Sequence, residues 1–140
     1  MIRDAFHYAE MMNYGDLRGF QLALTQPAKD SVWQDIYTRY PEWHFWMLQN
    51  PSFPTALADT LANSDDVRLR HMAARKGNLS QQRLEQLIID NEPAVRLAVS
   101  QRADLNSQHR QRLCHDQDVD VAAYARRHFS LDMPQQVAGF

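Results

Sequence analysis

The chain has 140 residues, 44% hydrophobic and 23% charged, which are globular proportions and exclude a disordered chain. A chain of this length buries about two thirds of the surface its unfolded form exposes, so it reads as one domain with one core. The net charge of −2 argues against a dedicated nucleic-acid coat, and four Gly with six Pro argue against a turn-rich all-β fold.

The predicted elements begin near the N-terminus. Ile2, Ala5, Phe6, Ala9 and Met12 share one helical face. Asn13-Tyr14-Gly15 ends that helix, and Asp16 is placed to cap the next one. Ser31 to Tyr40 reads as a further helix, apolar at Val32, Ile36 and Tyr40 and stopped by Pro41. Residues 1–42 read as irregular copies of the unit that follows. Leu17-Arg18 lies 26 residues before Trp43, but Gln26-Pro27 matches Asn50-Pro51 at 24.

From residue 43 a period of 26 runs without a gap, with units starting at Trp43, Leu69, Val95 and Val121. Three positions on come Trp46, Met72, Ala98 and Tyr124, and one further Met47, Ala73, Val99 and Ala125. That i, i+3, i+4 spacing is the buried face of a helix. Phe53, Leu79, Leu105 and Leu131 close each segment, and Pro54, Ser80, Asn106 and Asp132 follow as helix starters. A second apolar column holds Leu61, Leu87 and Leu113, with Ala62, Ile88 and Cys114 beside it. The spacing predicts helices at about 42–50, 55–63, 66–76, 81–90, 93–102, 107–115, 119–128 and 133–138.

The pattern Leu69-Arg70, Val95-Arg96, Leu79, Leu105, Leu87, Leu113, Asp90 and Asp116 resembles HEAT-like repeats, most nearly the bacterial leucine-rich-repeat-variant type. The resemblance covers about residues 41–140 and implies an all-α fold, a right-handed α-solenoid of helical hairpins spanning residues 1–140 as one domain. Some members of the variant class carry a Cys-rich iron–sulfur segment. This chain has only Cys114, so no cluster and no redox role carry over.

No catalytic, metal or cofactor signature stands out. The glycines at 15, 19, 77 and 139 are isolated, so no phosphate loop forms. His109, Cys114 and His115 come nearest to a metal cluster, but adjacent helical residues point about 100° apart, and Cys114 falls in the core column. One cysteine makes no internal disulfide, and no apolar run has signal-peptide or membrane length, so the expectation is a cytoplasmic, non-enzymatic protein. Some HEAT-like proteins resemble DNA glycosylases, and Trp33, Trp43 and Trp46 with thirteen Arg invite that comparison. Trp43 and Trp46 nevertheless occupy columns that are mostly aliphatic in other units, which favours core packing.

Charge is uneven along the chain. Residues 1–66 carry −5, whereas residues 67–140 carry +3 with ten of eleven cations being Arg. Arg70 and Arg96 are placed to bridge the acidic loops of neighbouring units at Asp66, Asp90, Glu92 or Asp116. Arg75, Lys76, Arg102, Arg126, Arg127 and His128 recur at the ends of the same helices and form the candidate binding surface. Cations suit helix C-termini, which accounts for part of this pattern. The period also aligns Lys76, Arg102 and His128 in one row open to an acidic partner. The expected function is a protein-binding module, in its narrower form an immunity protein that neutralises a toxin. The alternatives are a nucleic-acid or glycosylase-like protein and a scaffold subunit.

Overall fold

A computed structural model of the chain describes residues 1–13 and 15–129. Among these residues the chain is all-helical: α1 (Ala5–Asn13), α2 (Leu17–Thr25), α3 (Asp30–Arg39), a 3₁₀ turn at Pro41–Trp43, α4 (His44–Met47), α5 (Thr55–Ala62), α6 (Val67–Lys76), α7 (Gln81–Ile88), α8 (Pro93–Ser100), α9 (Ser107–Cys114) and α10 (Val119–Phe129). The helix expected at 133–138 and the cap at Asp132 lie outside the described residues.

Local sequence explains most helix starts. The Asp16 and Asp66 carboxylates accept the amides of Arg18 and Arg68, and Ser80 Oγ accepts that of Arg83. Asn106 and His109 form a reciprocal capping box at the start of α9. Pro54 precedes α5 as a flanking residue without any side-chain cap. The stops are equally local. After α5, α7 and α9 the amides of Ser64, Asp90 and Asp116 bond back three residues, to Leu61, Leu87 and Leu113. The last turn thereby tightens, and the helices end at Ala62, Ile88 and Cys114.

One cluster of buried apolar side chains runs from Ile2 to Phe129. Helices α4, α6, α8 and α10 pack in succession, and so do α5, α7 and α9. The first series buries Met72, Ala73, Ala74, Val95, Ala98, Val99, Val121, Ala122, Ala125 and Phe129. The second buries Leu57, Leu84, Leu87, Ile88 and Leu113. Each fully buried Leu or Ile of this kind contributes about 1.5–3 kcal/mol.

Two elements differ from the sequence expectation for physical reasons. The helix expected at 42–50 is broken, because Pro41 starts a 3₁₀ turn and Trp43 leaves helical geometry at φ −109° and ψ 10°. Only one α-helical turn, α4, follows, and Gln49 and Asn50 close it by bonds to Trp46 and Met47. The helix expected at 93–102 ends at Ser100, because Arg102 bonds back only three residues, to Val99.

Candidate partner-binding surface

Arg70 and Arg96 are structural clamps. Arg96 Nε and Nη2 hold the Asp116 carboxylate at 2.8 and 3.1 Å, and Nη1 donates to the Asp90 carbonyl at 2.6 Å. Arg70 makes the matching contacts, with Nε and Nη2 on Asp90 at 3.0 and 3.4 Å and Nη1 on the Ser64 carbonyl at 3.0 Å. The Arg96–Asp116 side chains are 6% and 7% exposed, so the pair is buried, and the Asp116 carboxylate raises the Arg96 pKa further. The acceptors also serve their own loops. Ser64 Oγ, Asp90 Oδ1 and Asp116 Oδ1 accept the amides of Asp66, Glu92 and Asp118, so each residue closes one helix and prepares the next.

The six residues singled out by charge and period separate into distinct roles. Arg75 and Lys76 are exposed at the C-terminus of α6, with no hydrogen bond or ion pair to a described residue. Arg102 is not part of an exposed row. Its side chain is 8% exposed, its Nη1 donates to the Ala74 carbonyl at 2.9 Å, and its other nitrogens hold Asp104 at 2.8 and 2.7 Å. It therefore caps the end of α6 from the segment after α8, and its hydrogen bonds hold the Asp104 carboxyl below the usual range. Arg126 is exposed yet directs Nε to the Cys114 carbonyl at 2.9 Å, the C-terminal residue of α9. His128 stacks on Tyr124 with centroids 3.9 Å apart, and its Nδ1 donates to the Tyr124 carbonyl. Arg127 is exposed on α10, one residue before His128 and two periods after Arg75.

Asn50 was not signalled by charge. It occupies the column of Lys76, Arg102 and His128, and is 2% exposed. Its Nδ2 donates to the Ala23 and Gln26 carbonyls at 2.9 and 2.8 Å, at the end of α2. Its Oδ1 accepts from the Ser52 amide and hydroxyl, and Ser52 Oγ accepts Trp33 Nε1 at 2.9 Å. Asn50 and Arg102 thus do the same job two periods apart. The period itself was the only available signal, since it set Asn50 in a column of cations.

The tryptophans belong to packing. Trp33 is fully buried against Tyr8 and Phe53, Trp43 meets Tyr8 and Tyr40, and Trp46 meets Phe20 and Phe45. Burial raises the Tyr8 phenol pKa far above its ordinary value. Cys114 is buried, His109 caps α9, and His115 donates to the Gln111 carbonyl, so these three serve separate local contacts. Among the described residues no three His, Cys, Asp or Glu lie together as metal ligands, and no helix is long and apolar enough to cross a membrane. Comparison with protein-family models, curated proteins and solved structures finds no match to this chain.

Proposed function

We propose that this chain is a right-handed α-solenoid of HEAT-like units, and that it works as a non-enzymatic cytoplasmic module binding an acidic protein partner. The helix starts support the repeat reading: Thr55, Gln81 and Ser107 are evenly spaced, as are Val67, Pro93 and Val119. The clamps from Arg70 to Asp90 and from Arg96 to Asp116 recur at the same spacing. Helix spacing follows the side chains at the contact. Ala73, Ala74, Ala98 and Ala125 are buried on α6, α8 and α10, and side chains of that size allow close approach of neighbouring helices. Stacked units of that kind form extended concave binding faces.

The observation that carries the binding reading is the contrast among cations. Arg70, Arg96 and Arg102 are committed inside the fold, whereas Arg75 and Lys76 are exposed without a described partner. Arg127 extends the same column along α10. An acidic protein surface is the complementary ligand, and a toxin covered by an immunity protein is the narrowest form of that reading.

The test is capture from native extract with wild-type protein and with an Arg75→Glu, Lys76→Glu, Arg127→Glu variant of unchanged far-UV CD. A stoichiometric protein retained by the wild type and lost by the variant supports the reading. Retention by both refutes the surface. Captured nucleic acid, released steeply as salt rises, refutes the protein-binding class.

A further inference from the structure

The basic surface leaves the acidic front half of the chain without a role, and a groove lies at its edge. A cleft of about 450 Å³ opens between α4 and the N-terminal half of α6. Its apolar walls are Pro41, Phe45, Trp46 and Leu69, and its polar groups are Glu42, Asp66 and Arg68. The sequence explains why it stays open. Trp46 stands where α8 has Ala98, and α4 is a single turn, so α4 covers less of α6 than α8 does. The Trp46 ring is held edge-on by Phe20 at 5.0 Å and Phe45 at 4.8 Å, so one partly buried indole is fixed before any ligand arrives.

The charges select the ligand. Asp66 is engaged by the Arg68 side chain and amide, which lower its pKa. Arg68 also lines the cleft, 81% exposed, with its guanidinium paired to Asp66, so Glu42 is the charge there without a described partner. Glu42 is exposed and has no hydrogen bond or ion pair to a described residue. An uncommitted carboxylate beside a fixed indole suits a cation with a flat, weakly hydrated face, which is a guanidinium. A carboxylate or phosphate would meet Glu42 as a like charge.

We propose that the cleft between α4 and α6 seats an arginine side chain of a protein partner, stacked by Trp46 and paired with Glu42. The inference stands apart from the basic surface, because no residue of that surface lines the cleft.

The probe is the tripeptide acetyl-Gly-Arg-Gly-amide, titrated into the full chain while the three tryptophan indole signals are followed by NMR. The expected result is a saturable shift of the Trp46 indole with a millimolar dissociation constant, while Trp33 stays unmoved. Glu42→Gln should weaken binding about fivefold. The citrulline tripeptide, which keeps the shape and loses the charge, should bind as weakly to the wild type. No saturable shift overturns the proposal, and so does equal binding of the citrulline peptide, which does not depend on how the variant folds. Free arginine binding at least as tightly as the tripeptide would assign the cleft to an amino acid instead of a partner's side chain.

Discussion

Replacing Arg96 by Met keeps the length of the side chain and removes its guanidinium. The Asp116 carboxylate then loses donors at 2.8 and 3.1 Å, and the Asp90 carbonyl loses one at 2.6 Å. Removing one partner of a buried pair costs about 3–5 kcal/mol. The Arg96–Asp116 pair lies beside the groove between its two loops, so the lower end applies, about 3 kcal/mol. Arg70→Met should cost less, about 1–2 kcal/mol, because Arg70 is 19% exposed and water can reach its partner. Urea unfolding followed by far-UV CD reads the difference: at a slope of about 1–3 kcal/mol per M, Arg96→Met lowers the midpoint by about 1–3 M. Adding Asp116→Asn to Arg96→Met should recover part of the loss, since the amide oxygen still accepts the Asp118 amide without burying a charge. A loss under about 1 kcal/mol for Arg96→Met, or one no larger than that for Arg70→Met, would refute the clamp as the joint between the Asp90 and Asp116 loops.

Gly77→Ala should destabilise the chain by about 1–3 kcal/mol in thermal unfolding, because a Cβ there lies 2.7 Å from the Ala73 carbonyl oxygen. Asn50→Ala should cost about 2 kcal/mol in urea, since it strips the carbonyls of Ala23 and Gln26 and the Ser52 hydroxyl of their partner; near-neutral behaviour would contradict the network. The Asp104 carboxyl titrates below its unfolded value, so its contribution is present above about pH 4 and is lost as pH falls through the folded pKa. Its side chain is 53% exposed, so that contribution stays under about 1 kcal/mol; Asp104→Asn should flatten that part of the acid limb, and an unchanged profile would contradict the pairing.

The sequence made the helices legible because caps and apolar spacing are local signals. Asp16, Ser80 and Asn106 mark starts that the structure places one residue later, at Leu17, Gln81 and Ser107. The partners of Arg70 and Arg96 were among the acidic loop residues the period suggested, because Asp90 and Asp116 stand in one column. The broken helix at 42–47 was not legible, since the period aligned its aromatic residues with a helix that Pro41 and Trp43 interrupt. Nor was the commitment of Arg102. Charge and position show that a cation follows α8, but not that it reaches across to the carbonyls ending α6. The direction of a long side chain depends on which acceptors the neighbouring unit brings near, and spacing alone does not carry that.

The functional reading depends on the helices being copies of one unit, and removal of one unit tests this most directly. Deleting residues 67–92 joins Asp66 to Pro93, so the Ser64–Asp66 loop takes the place of Asp90–Glu92 in front of α8, and Arg96 can still reach a loop carbonyl and Asp116. The expected product is a shorter chain that is helical by CD and unfolds in one cooperative transition. Deleting residues 67–86 instead breaks the register and should leave no such transition. A 67–92 deletion that unfolds as completely as the 67–86 deletion would contradict the repeat.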